Sequence, residues 1–211
     1  MCKICGFKTE KLIINSILYH RCTNCGFLRK DEKHLLDDNE EFERYQKHNN
    51  NDENYVSYQR NFYLQIEQYL FNDVLDFGCG DNHVLSSIIK ENGFNSYFYD
   101  LYFYNDETIF SKLYDVIILE EVIEHIENPL FLLKRLTEML KVDGKIIIRT
   151  NMLKDTINLN SWWYLRDTTH ISFFTYHSFL ICSQLLGMNI IYCNEKDLII
   201  MKKAWLLFYY I

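Results

Sequence analysis

The 211-residue chain has no apolar run long enough to cross a bilayer, and its opening, Met1-Cys2-Lys3-Ile4-Cys5, lacks the hydrophobic stretch of a secretion signal. These absences predict a cytoplasmic protein with no membrane span. An excess of positive charge is also missing: the net charge is −7, which disfavours a general grip on nucleic acid. The charge is uneven, since residues 1–33 carry seven basic side chains against three acidic ones. A basic head on an acidic body is either a surface for an anionic partner or simply a solvated small domain. Glycine and proline are scarce, at seven and one, so the places where they stand are informative. No internal repeat is present.

The chain does have seven cysteines. In a reducing compartment these point to metal binding or burial and away from disulfides. Four of them form two pairs, Cys2-x-x-Cys5 and Cys22-x-x-Cys25, with 16 residues between. Two tight turns that each present two thiolates satisfy a tetrahedral ion, and Gly6 and Gly26 follow the pairs where such turns want no Cβ. Residues 1–33 therefore read as a zinc ribbon with a structural Zn2+ on Cys2, Cys5, Cys22 and Cys25. Lys11–Tyr19 supplies a strand or hairpin arm. Cys182 and Cys193 read as buried thiols.

Residues 34–71 read as a polar linker followed by a helix. Asp52 is a candidate cap, and the stripe Tyr55, Tyr58, Phe62, Ile66, Tyr69 has helical period and the look of core packing. Beyond lies a βα alternation over residues 72–211. Strands are predicted at Val74–Phe77, Ser96–Tyr99, Asp115–Leu119 and Lys145–Arg149. Helices are predicted at Val84–Lys90 and from Asn128-Pro129 to about Lys141, and a closing hairpin at Asn189–Tyr192 with Leu198–Lys202. Such an alternation implies a mostly parallel sheet with helices on both faces.

The strand Val74–Phe77 runs into Gly78-Cys79-Gly80-Asp81-Asn82, a turn whose glycines let the backbone approach a ligand at a helix N-terminus. Asp76 ends the strand, and Asp100, 22 residues past Gly78, can accept both hydroxyls of a ribose. A dinucleotide fingerprint would want glycine where His83 stands. The next strand leads into Glu120-Glu121-Val122-Ile123-Glu124-His125, then Asn128-Pro129.

Taken in order, the Asp-Phe-Gly-Cys-Gly turn, Asp100 and the acid-ended strand with its Glu-His pair resemble the class I methyltransferases over residues 70–202. A narrower resemblance, to bacterial members headed by a zinc ribbon, rests on Arg44-Tyr45-Gln46-Lys47-His48 and on the run from Trp162 through Arg166-Asp167-Thr168-Thr169-His170 to Phe174. In this comparison Asn82 replaces the usual third glycine, and the strand expected between Asp100 and Tyr114 is barely visible.

The resemblance implies a Rossmann-like, seven-stranded, mostly parallel sheet with a C-terminal antiparallel hairpin, plus the ribbon. It implies S-adenosylmethionine as methyl donor, with Asp76, Gly78 and Gly80 at its methionine part, Asp100 at its ribose, and Leu119, Glu120 and Glu121 lining the donor pocket. His125 and His170 are the candidate bases for O- or C-methylation of a small-molecule acceptor, with Glu121 orienting His125 if residues 121–125 are helical. The structural alternatives are that Glu124-His125 braces the next helix and that His170 belongs to a network closing its loop, with Arg166 paired to an acid. Tyr45 and His48 either cover the donor pocket or lie on a surface helix. The apolar segment Ala204–Ile211 packs on the body or on a second subunit. The alternative functions are an RNA- or protein-modifying methyltransferase that docks substrate through its ribbon, and a non-catalytic scaffold.

Overall fold

The structure, a computed structural model, describes residues 1–46 and 53–204. Asp52, His48 and residues 205–211, to which the sequence assigned a cap, a pocket cover and a packing tail, lie outside the described residues.

The chain opens with strands β1 (Thr9–Ile14), β2 (Ile17–Cys22) and β3 (Leu28–Lys30). The expected single arm at residues 11–19 is a hairpin: Asn15 and Ser16 both take left-handed backbone, φ 49° and 67°. This is the two-residue turn whose twist matches the flanking strands. Helices α1 (Asp38–Gln46) and α2 (Glu53–Ile66) follow. Next come β4 (Asp73–Phe77), α3 (Val84–Glu91), β5 (Asn95–Tyr99), β6 (Tyr114–Glu120), α4 (Pro129–Glu138) and β7 (Leu140–Arg149). The chain continues through β8 (Ser172–Phe173), α5 (Tyr176–Leu185), β9 (Met188–Cys193) and β10 (Leu198–Lys203).

The main sheet runs β5-β4-β6-β7-β10-β9, the first four strands parallel and β10 antiparallel to both of its neighbours, β7 and β9. This is the Rossmann-like methyltransferase architecture with its C-terminal hairpin. It has six strands among the described residues, where seven were expected. The segment between Asp100 and Tyr114 forms an isolated bridge, Asp100 to Tyr104, and a 3₁₀ turn, Glu107–Ser111. Asp106 starts that turn by accepting from the Thr108 amide at 3.0 Å. A cap and a polar, unalternating sequence favour a turn over a strand there.

Strand alternation sends side chains to two cores. Leu75, Ile117, Leu119, Ile146 and Ile148 meet Leu133 and Leu136 of α4 and Phe179 and Cys182 of α5. Val74, Val116, Ile118, Ile147 and Ile200 meet Phe62 and Ile66 of α2 and Leu85 and Ile89 of α3. Helices thus cover both faces, as the βα alternation requires. Two boundaries move from the expected ones. Helix α4 stops at Glu138, and β7 begins before Asp143-Gly144. The left-handed Asp143 (φ 63°) bends β7 within the strand where a separating turn was expected.

The N-terminal strands do not stand apart from the body. They form an antiparallel sheet, β1-β2-β3-β8, whose fourth strand comes from the loop that precedes α5. Cys2, Ile4 and Phe27 share the core that holds Phe174 and Phe179, with the Phe27 and Phe174 rings 5.0 Å apart. No described helix is long and apolar enough to cross a membrane.

Candidate active site

The four N-terminal cysteines converge. Sγ of Cys2 is 3.7 Å from Cys25, and Sγ of Cys5 is 3.4 Å from Cys22 and 3.6 Å from Cys25. Zinc–sulfur bonds of about 2.3 Å in a tetrahedron give sulfur–sulfur edges of about 3.8 Å, so the four groups fit such an ion. Backbone amides of Ile4, Asn24 and Cys25 donate to Cys2 and Cys22 sulfurs at 3.3 to 3.4 Å, as expected where thiolates carry negative charge.

At the carboxyl end of β4 the chain turns through Gly78 (φ 82°) and Gly80 (φ 69°). A Cβ on Gly78 would stand 2.4 Å from Cγ2 of Val122. The glycine therefore permits both a left-handed turn and close approach to the loop after β6. Gly78→Ala is expected to displace that loop and weaken the binding of a ligand at this turn at least tenfold, read by calorimetry, while the helical circular dichroism persists. The left-handed residue that follows is His83 (φ 37°), immediately before α3; Asn82, the expected stand-in for a third glycine, does not take that geometry.

Asp76 and Glu120 close neighbouring strands and are nearly inaccessible. Burial lifts the Asp76 carboxyl to about 7 and that of Glu120 to about 8; Arg149, 3.2 Å from Glu120, partly counters the latter. Asp100 accepts from the Gly80 amide at 3.0 Å through one oxygen and from the Tyr102 and Phe103 amides at 2.9 and 3.2 Å through the other. It fixes the glycine turn to the following loop. Leu119, expected to line the donor pocket, is fully buried in the core beneath it, because alternation along β6 turns it away while Glu120 faces the cavity.

The turn after β6 and the segment before β8 carry the two histidines. Glu121 takes left-handed backbone (φ 50°), and only Ile123–His125 form a 3₁₀ turn, so no helix aligns Glu121 with His125. Nδ1 of His125 instead lies 3.2 Å from the carbonyl of Thr169, and Nδ1 of His170 lies 2.8 Å from that of Tyr164. A carbonyl only accepts, so each Nδ1 carries the hydrogen.

The Tyr164 hydroxyl is the hub of this region. It contacts Thr150 and Glu121 at 3.0 Å each and donates to Glu124. Glu124 is fully buried, and desolvation holds its carboxyl well above the ordinary range. In the sequence the run from Trp162 to Phe174 carried the narrower resemblance, but Tyr164 was given no role. In the loop it is Arg44, from α1, that pairs with Asp167 at 3.5 Å, while Arg166 is exposed.

These residues surround a cavity of about 770 Å³ at the carboxyl ends of β4 and β6, within the range of about 300–1,000 Å³ usual for small-molecule sites. Asp76, Gly78, Gly80, Asp100, Glu120, Glu121, His125, Tyr164 and His170 all line it. Tyr45 covers the cavity from α1. Tyr55 and Tyr58 of α2 also line it, so the aromatic stripe is divided: Phe62 and Ile66 are core, and the two tyrosines belong to the site.

A family model described as a methyltransferase domain matches residues 32–192. The chain belongs to this methyltransferase family. The match starts after the four cysteines, so it describes the body of the chain and leaves the ribbon outside. No curated protein matches the chain. Among solved structures, a SAM-dependent methyltransferase from Archaeoglobus fulgidus is 16% identical, with 69% of this chain and 94% of that one covered and a TM-score of 0.51. CalO1, a methyltransferase in calicheamicin biosynthesis solved in its SAH-bound form, is 11% identical, with 67% of this chain covered and a TM-score of 0.51. This chain spans only 53% of CalO1. At these identities the likeness establishes the methyltransferase fold and stops short of the acceptor.

Proposed function

We propose that the chain moves the methyl group of S-adenosylmethionine to a small-molecule acceptor by O- or C-methylation, and that Cys2, Cys5, Cys22 and Cys25 hold a structural zinc ion. The observation that carries the reading is one cavity lined both by the acidic glycine turn and by the imidazoles of His125 and His170, whose Nδ1 atoms meet backbone carbonyls.

In this reading Asp76 meets the donor's ammonium and the Gly78–Gly80 backbone its carboxylate. Asp100 meets the ribose by exchanging some of its backbone partners for hydroxyls. The donor supplies a sulfonium-bound methyl. The acceptor's nucleophilic atom attacks that carbon in line, the sulfur keeps the bonding pair, and S-adenosylhomocysteine leaves. Nε2 of His125 or His170 takes the acceptor's proton, its tautomer fixed by the carbonyl on Nδ1. The apolar walls exclude water, and alignment in the cavity supplies much of the acceleration. Arg29 and Lys30 of the ribbon are buried against Glu127 and the Thr168 carbonyl, and Arg21 pairs with Asp155. The inward placement of Arg29 and Lys30 favours a small acceptor over an RNA docked on the ribbon.

The raised Asp76 and Glu120 carboxyls give a pH test. Both bind protons in the folded protein that the unfolded chain, with values near about 4, has already lost. Their contribution to stability is therefore present below about pH 4 and is lost as pH rises through about 7 and about 8. The ammonium that S-adenosylhomocysteine shares with the donor favours the ionised acids, so the ligand should bind more tightly, with proton release, at pH 8 than at pH 6. In a thermal-shift series the ligand-free midpoint should fall over that range while the ligand-induced gain grows. A gain that shrinks with pH would contradict this placement of the donor's ammonium.

A further inference from the structure

A second group of ligand-type side chains lies apart from the cysteines. Glu124, His125 and His170 place their ligand atoms within 4.8 Å of one another. Two separate backbone segments hold them. The Ile171 amide donates to the Glu124 carbonyl at 2.9 Å, and the Ser172 hydroxyl donates to the Ile126 carbonyl at 2.9 Å. The cluster is thus built by tertiary contacts and is not a chance meeting of surface groups.

Three features point to a cation. Both imidazoles place Nδ1 against a backbone carbonyl, the arrangement that orients metal-bound histidines. Glu124 is completely buried, and while one carboxylate oxygen accepts from Tyr164, the other, Oε2, has no hydrogen-bond partner. Such an unpartnered buried carboxyl oxygen is costly unless a proton or a cation stands beside it. Glu121 leans on the same Tyr164 hydroxyl, so two carboxylates draw on one donor.

We infer that Glu124, His125 and His170 form a divalent transition-metal site, of two-histidine, one-carboxylate type, in the wall of the cavity that the two histidines line. The donor set of two imidazole nitrogens and one carboxylate oxygen suits Zn2+, Co2+ or Fe2+ better than Mg2+ or Ca2+, which prefer oxygen alone. Bonds of about 2.1 Å bring neighbouring ligand atoms to roughly 3–3.4 Å, a closure within side-chain rotation from the observed spacing. His125 and His170 face the cavity, which leaves the remaining coordination positions open to solvent or ligand. The same Nε2 lone pairs cannot hold a metal and receive a proton together. Filling the site therefore competes with base action; this consequence rests on the methyl-transfer reading, whereas the site itself does not.

The test is titration of the full chain, zinc-loaded at the cysteines and freed of loosely held metal by a mild chelator, with Co2+ followed by absorption. We expect one further equivalent, with visible cobalt bands and no growth of the near-ultraviolet thiolate-to-cobalt band that exchange into the ribbon would give. Glu124→Gln and His170→Leu, each verified as folded by circular dichroism and by retained ribbon zinc, should weaken that uptake by about tenfold or more. Absence of a saturating equivalent, uptake only with the thiolate band, or unchanged uptake in both variants overturns the site. Parallel calorimetry with S-adenosylhomocysteine separates the two readings. Ligand binding without cobalt uptake removes the metal site alone; cobalt uptake without ligand binding removes the methyl-transfer reading and leaves the site.

Discussion

Cys22→Ser is expected to empty the ribbon of metal and to loosen the loop that carries His170, while the helices of the body persist. The first half follows from coordination: structural zinc contributes roughly 10–16 kcal/mol of apparent binding energy in small domains, and losing one of four thiolates removes much of it. The second half follows from how the ribbon is attached. β3 pairs with β8 through Leu28–Phe173 and Arg29–Ser172, Thr175 donates to the Cys25 carbonyl at 2.6 Å, and Lys30 donates to the Thr168 carbonyl at 2.7 Å. These bonds flank His170 on both sides. Atomic absorption should fall from one zinc per chain towards none, far-ultraviolet circular dichroism should keep its helical signal, and the thermal midpoint should drop. A variant that retains a full zinc refutes the four-thiolate site. One that loses zinc but leaves residues 164–175 as protected from hydrogen exchange as in the wild type refutes the coupling.

Tyr164→Phe is the second large effect. Its hydroxyl lies between Thr150, Glu121 and Glu124 and is fully buried. Phenylalanine fills the same space but leaves two buried carboxylates without that donor. A buried polar group stripped of its partner costs about 1–3 kcal/mol, more when charged, so a loss on the order of 3 kcal/mol is expected. For a chain of this size that lowers the midpoint by roughly 5–10 °C. Denaturant unfolding followed by fluorescence and circular dichroism checks the figure. A loss below about 0.5 kcal/mol would mean that the hydroxyl does not hold the two acids together.

Why the sequence disclosed some of this and hid the rest is a matter of range. The cysteine pairs, the glycine turn and the βα alternation are local patterns, and each corresponds to an element found in the structure, with ends shifted by a few residues. Asp100 was legible as an acid at the right separation, but its present partners, the amides of Gly80, Tyr102 and Phe103, depend on how two loops fold together. Tyr164 joins Glu121 and Glu124 across about forty residues, and nothing in the local pattern of Trp162-Trp163-Tyr164 announces that contact. The pairing of β3 with a two-residue strand beyond position 170 is equally remote, which is why residues 1–33 read as a separate head. Leu119 illustrates a smaller failure: strand period 2 fixes that Leu119 and Glu120 face opposite ways, but only the packed sheet shows which of them faces the cavity.

The central claim is that the cavity lined by the glycine turn and the histidines receives the methyl donor. Calorimetric titration of the zinc-loaded full chain with S-adenosylhomocysteine, beside Asp100→Ala, tests it most directly. The account predicts one site of micromolar affinity, weakened about ten- to a hundredfold in the variant, because charge-assisted hydrogen bonds of roughly 1.5–3 kcal/mol are lost. Heat of mixing alone from folded wild-type protein would contradict it.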